Sequence, residues 1–191
     1  MTRPVLHVRM RAPGAFALAL ALAGSLAALS PALAAAPKTP AKTTPPKKHR
    51  TILNSPDLWA TVDVCNTPAQ PDTIGIRASM PGDGRRAELM FMRFRVQYQD
   101  PTTLVWTDSA GADTGYVRVG SAKFSALQSG TSFQFKPAPG DRYVLRGAVG
   151  VEWRVGARVV RFAHIHTTAG HHTTVGSDPK GYSAAICTIS G

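Results

Sequence analysis

The sequence predicts an all-β domain, a sandwich or a barrel, and three observations predict it. Apolar and polar residues alternate with period two over several stretches after residue 55, as in "ELMFMRFRVQY" (88–98). Turn-forming clusters punctuate those stretches: "PAQPD", "PGDG", "DSAGAD", "PAPGD" and "GSDPKG". No stretch of this region sustains a helical period. Eight or nine short strands with such punctuation fit either architecture.

Taken in order, the chain opens with an address. Arg3, Arg9 and Arg11 precede an Ala- and Leu-rich run from Ala15 to Leu29, followed by Pro31 and the small-x-small pattern Ala32-Leu33-Ala34. This is the plan of a secretory signal peptide, residues 1–34, cut after Ala34. The run is nearly long enough to span a bilayer, so an uncleaved anchor is the alternative. Pro31 and the small residues favour removal, which leaves no stable transmembrane segment, and no cysteine stands near the cut to carry a lipid. The expected location is secreted, extracellular or associated with the cell wall.

Residues 35–50 follow as a linker of Pro, Thr, Lys and Ala. It has no large apolar side chain to offset the entropy of ordering, and the reading is an extended, disordered basic arm. Arg3, Arg9, Arg11 and the arm's Lys38, Lys42, Lys47, Lys48 and Arg50 take eight of the chain's 22 basic residues and none of its 11 acidic ones. From residue 51 onward 14 basic residues face 11 acidic ones, so the excess charge belongs to the ends of the chain. An exported basic arm meets anionic wall polymers or lipid headgroups, or serves as a solvated spacer. Nucleic acid is not the expected partner, because the domain shows no basic stripe with interleaved aromatics.

Residues 51–191 are long enough for one domain with a core. In "LWATVDVC" (58–65) the shared face holds Leu58, Ala60, Val62 and Val64, and in "TIGIRASM" (73–80) it holds Ile74, Ile76, Ala78 and Met80. In 88–98, Met90, Met92, Phe94, Val96 and Tyr98 face one way, and Arg93, Arg95 and Gln97 the other. "SFQF" (132–135) and "YVLRGAVGVEW" (143–153) continue the theme. The methionines invite a copper(I) reading, because thioethers suit it, but they fall on the best core stripe, where Met is ordinary filler.

Cys65 ends an early strand and Cys187 lies in the last one. In an exported chain an isolated pair is most simply a disulfide; two buried thiols or a thiol ligand pair are the alternatives. Cys65 early, Cys187 late and "DPKGYSAAIC" just before it resemble immunoglobulin-like sandwiches. More closely, "WATVDVCNTP", "TIGIRASMPG", "MRFRVQY", "LRGAV" with "EWR", and "TTAGH" with "DPKGYSAAIC" resemble a group of secreted proteins of high-GC Gram-positive bacteria with no assigned function. The resemblance implies an immunoglobulin-like β-sandwich and an exported address, and no activity. Immunoglobulin cysteines stand about half as far apart, and their corner tyrosine sits two residues before the second; Tyr182 lies five before Cys187. The strand order is left open.

The stretch "RFAHIHTTAGHH" (161–172) holds four of the six histidines. A two-residue turn at Gly156-Ala157 pairs Trp153 with Val160, Val151 with Phe162 and Glu152 with Arg161. Continued outward, it places His164 opposite Val149 and His166 opposite Gly147, as an extension of the apolar face, with room above Gly147 for a side chain or ligand. Two imidazoles on one strand face can share Zn²⁺ or Cu²⁺ with a third donor from His171 or His172. Histidines on a half-buried strand end are the plainer account.

Catalysis has less in its favour. The chain lacks a Gly-x-Ser-x-Gly elbow, a phosphate loop and a His-Glu-x-x-His pair. His164 or His166 could pair with Asp178 and a serine, but no spacing selects them. Glu88 and Glu152, the only glutamates, read as surface partners of arginine. "DSAGAD" offers oxygens to Ca²⁺ yet lacks the alternation of a binding loop. The expectation is a non-enzymatic binding or surface-interaction module of the cell envelope, without cofactor, meeting an anionic wall polymer or an envelope protein through its basic linker or a sheet face. The alternative is an extracytoplasmic Zn/Cu protein using His164, His166 and His171 or His172.

Overall fold

The computed structural model describes residues 51–172 and 174–191; the expected signal peptide (1–34) and basic linker (35–50) lie outside them. A short 3-10 turn, Ile52–Asn54, leads into nine strands: β1 Trp59–Thr67, β2 Gln70–Pro81, β3 Leu89–Gln99, β4 Trp106–Asp113, β5 Val117–Ser121, β6 Ala126–Gln134, β7 Arg142–Val155, β8 Arg158–His166 and β9 Cys187–Ser190. All pairings between these strands are antiparallel. One sheet has the order β1-β2-β6; the larger has β4-β3-β7-β8, with β5 on β3 and β9 on β7. The chain changes sheet between β2 and β3, between β5 and β6 and between β6 and β7, and the strand order is that of an immunoglobulin-like β-sandwich.

The expected stripes form the core. Val62, Ile74, Ile76 and Met80 of the small sheet meet Met90, Met92, Phe94, Val96, Val149, Val151 and Trp153 of the large one. Met80, Met90 and Met92 are fully buried there, as packing. Trp153, also fully buried, donates its indole N–H to the Pro81 carbonyl at 3.0 Å, which satisfies the ring's polar atom.

Cys65 and Cys187 are joined, with Cα atoms 5.4 Å apart and a sequence separation of 122 residues. The bridge ties β1 of one sheet to β9 of the other, the first strand to the last. Closing so long a loop stabilises the fold by about 4–5 kcal/mol in the chain-entropy account. In immunoglobulin domains the bridge joins two middle strands beside a Trp on the third; here the buried Trp lies on β7, eight residues beyond Leu145, the partner of Cys187 in the ladder.

Two turn expectations are corrected. "DSAGAD" is not a turn: residues 108–113 form most of β4, irregularly paired to β3, with a register shift between Arg95 and Gln97 and Gly111 at φ +78°. In "PAQPD" only Pro68 and Ala69 turn, because β2 begins at Gln70.

Candidate functional site

The histidine hairpin begins as the turn chemistry dictates. Gly156 adopts φ +60°, Val155 pairs with Arg158, and Arg154 with Val159. A β-bulge then intervenes, and Trp153 pairs with Arg161, not Val160. One extra residue inverts the facing of everything beyond it. The partners become Glu152–Phe162, Val151–Ala163, Gly150–His164, Val149–Ile165 and Ala148–His166. Ala163 and Ile165 therefore pack against the core, whereas Phe162, His164 and His166 are exposed. The expectation that the two imidazoles extend the apolar face is overturned. Gly147 is not open either: a Cβ there would lie 2.6 Å from the Thr167 methyl and 2.9 Å from Ile76, because both press on its inner side.

The expected ion pairs also rearrange. Glu152 binds Arg154 on its own strand. Arg161, turned inward by the bulge, reaches Glu88 and Asp83 and lies over Trp153. Glu88 pairs with Arg85 as well and is buried rather than on the surface.

Each imidazole has its own contacts. His171 stacks on Trp59, ring centroids 4.6 Å apart, and shares a hydrogen bond with Thr168 at 3.0 Å. His172 Nδ1 lies 3.0 Å from the Gly181 carbonyl oxygen. His164 meets Phe162 edge-on, and His166 accepts a 3.4 Å hydrogen bond from Arg146 in its neutral form. His164, His166 and His171 line a shallow groove of about 440 Å³ beside Trp59, between the edges of the two sheets. Among the described residues no three His, Cys, Asp or Glu side chains come close enough together to hold a metal ion. The Asp178–histidine–serine idea is not assembled: Asp178 accepts from Thr67, while Ser183 is shared by Thr61 and the His171 backbone N–H.

What the fold does assemble is the outer face of the large sheet. Residues directly opposite share a face, so Phe91, Arg93, Arg95 and Gln97 of β3 stand beside Glu152, Gly150, Ala148 and Arg146 of β7, and these beside Phe162, His164 and His166 of β8. Arg93 binds Asp113, Arg95 binds Asp108, and Arg154 binds Glu152. Aromatic rings lie between the guanidiniums. Arg146 sits 4.3 Å over Trp106, Arg154 is 4.2 Å over Phe91 and 5.1 Å over Tyr116, and Arg93 is 6.0 Å from Tyr116. Tyr116 reaches across Gly150, where a Cβ would come within 2.8 Å of its hydroxyl. Phe162, 61% exposed, ends the row.

The electrostatics follow from these partners. The Arg93 guanidinium holds the Asp113 carboxyl down at about 2. Burial, then the nearby Arg146 and Arg95 charges, lower the His166 pKa, and burial lowers that of His171. Burial and then the Glu152 carboxylate push Tyr116 up. The alternation of β3 did expose Arg93, Arg95 and Gln97 as a polar face. Trp106, Tyr116, Arg146 and Phe162 join it only through strand pairing, so the expectation that the domain has no basic stripe with interleaved aromatics is overturned: one exists across the strands. No protein-family model matches the chain, and no curated protein matches it either.

Proposed function

We propose that the chain is an exported, non-enzymatic module that binds anionic polymers of a cell envelope on the outer face of its larger sheet. The observation that carries this reading is the arginine–aromatic face itself. A solvent-facing sheet needs only polar side chains, and this one is built of guanidiniums placed over aromatic rings, with Phe162 left uncovered. Flat rings present area to the faces of sugar or polyol units, and fixed guanidiniums present donors to their anionic groups. The bridge between the first and last strands supports an oxidising compartment. Glu88, Glu152, Asp108 and Asp113 are each committed to arginine, which supports binding over acid–base chemistry. The basic segment 35–50 adds attraction of longer range to the same polyanion.

The test is co-sedimentation of the full chain with purified anionic wall fragments, compared with fragments stripped of their charged polymer. Binding to the first alone, weakened by added salt and retained when residues 35–50 are deleted, supports the reading. Binding that vanishes with that deletion removes the sheet face from it, and binding to neither fragment refutes it.

A further inference from the structure

Four side chains meet at one place on the outer face. Arg95, Ala148 and His166 stand in a row across β3, β7 and β8, and Gln97 and Arg146 form the next row. Ala148 is only 3% exposed although it faces outward, because the longer side chains close over its methyl group. Arg146 is tightly placed: its Nε donates to Gln97 Oε1 at 2.8 Å, Nη2 reaches His166 Nε2 at 3.4 Å, and the guanidinium lies on Trp106. Of the four arginines of the β3–β7 ladder, three have a carboxylate partner; Arg146 has none among the described residues. The Nε of Arg95 is buried without a hydrogen-bond partner.

This arrangement works against itself in the free protein. Two guanidiniums and an imidazole gather over one alanine, and Asp108 is the carboxylate that faces them. Burial and then the like charges lower the His166 pKa, and the neutral ring spends its Nε2 lone pair on Arg146. An anion above Ala148 reverses the sign of that field. It accepts from Arg146, favours protonation of His166, and turns Nε2 from acceptor into a second donor. Donors from two differently oriented planar groups match the tetrahedral oxygens of phosphate better than the planar fork of a carboxylate, which one arginine saturates alone. Trp106 and the exposed Phe162 flank the cluster with apolar area for what joins successive phosphates.

We propose that Arg146, His166, Arg95 and Gln97 form a phosphate-binding site for a phosphodiester-linked polyol or sugar chain. The inference rests on the envelope-binding reading and names the ligand group of that face. Nucleic acid, the other common phosphodiester, is disfavoured because Trp106, Phe91 and Tyr116 already lie under arginines, so the rings on which successive bases would stack are taken.

The experiment titrates the full, oxidised chain with a poly(glycerol phosphate) oligomer, with neutral dextran, with inorganic phosphate and with a single-stranded oligonucleotide of equal phosphate number. Calorimetry gives the affinity, and the His166 ring resonances give its protonation. The site predicts binding of the phosphate oligomer and not of dextran, loss of at least about tenfold in Arg146→Gln, and little change in Arg86→Gln, in the exposed loop between β2 and β3 and off this face. Affinity rises as pH falls through the His166 pKa, and that pKa rises on binding. The charged and titratable groups that face His166 are Arg146, Arg95, Asp108 and His164. The exposed His166→Ala variant abolishes the pH dependence without burdening the fold. An unchanged affinity in Arg146→Gln overturns the site, as does a static His166. Preference for the oligonucleotide, or equal affinity for free phosphate, overturns the polymer. If wall fragments still bind while Arg146→Gln has no effect, the envelope reading stands and this site falls; Arg146-dependent oligomer binding without wall binding does the opposite.

Discussion

Two of the ladders that β7 forms, with β3 and with β8, differ in one respect. Toward β3 the strand runs ten pairs in unbroken register, Leu89–Arg154 to Tyr98–Leu145; toward β8 the register shifts after two pairs. The first ladder rests on the strict alternation of β3, and a slip would bury Arg93 and Arg95 and expose Met92 and Phe94. That penalty pins it. The second follows a tight turn, and its strand carries Val159, Val160, Arg161 and Phe162 in succession, of which the fold buries Val160 in part and uses Arg161 against Glu88. A bulge satisfies both, because two consecutive residues then face inward. Register is dictated by the strand pattern where that pattern is strict, and by a single local accommodation where it is not.

The strongest way to break the regular ladder is Phe94→Ala. The ring is 1% exposed and opposite Val149, so its loss costs about 3–5 kcal/mol in transfer and cavity terms. Urea unfolding followed by tryptophan fluorescence measures this, and a loss below about 1 kcal/mol would place the core elsewhere.

The irregular ladder is sharpened by deleting Val160. That takes out the extra residue while Arg161 stays opposite Trp153 and Ala163 and Ile165 stay inward, so the cost is the packing of one half-buried valine, roughly 1 kcal/mol. Amide exchange and cross-strand nuclear Overhauser contacts between Gly150 and His164 are expected to persist. Their loss would mean that the bulge itself sets the facing of the strand.

The smallest effect is in pH. His166 and His171 have folded pKa values below the usual 6.5, so the unfolded chain binds protons the native one resists, and stability falls as pH drops through that value. Asp113, held at about 2, adds to the loss only below its usual 3.8, while Asp63, raised by burial, works the other way. The urea midpoint should fall between about pH 7 and 5 and fall less in His166→Ala. Equal slopes would show that His166 does not feel Arg146 and Arg95.

The contrast between the ladders also separates what could be read in the sequence from what could not. The bridge was expected from a lone pair of cysteines, Cys65 and Cys187, and alternation alone identified Met90, Met92, Phe94 and Val96 as core. The core reading needs only the parity of a residue within its own strand. His164 and His166 needed parity carried across a turn, where one uncounted residue reverses the answer. The arginine–aromatic face was further out of reach. Trp106, Tyr116, Arg146 and Phe162 are tens of residues apart, and only the strand order sets them side by side. Gly150 is the local trace they leave, a small residue on a polar face that makes room for Tyr116.

The bridge between β1 and β9 has a consequence for wear. It makes a covalent ring of nearly the whole domain, and the exposed tips lie within that ring, Leu104 at 63% exposure among them. A protease that cuts at such a tip opens the ring without releasing a piece. The nicked domain keeps both halves of its core tethered, runs as one species until it is reduced, and holds its outer face together after a cut that would divide an unbridged sandwich.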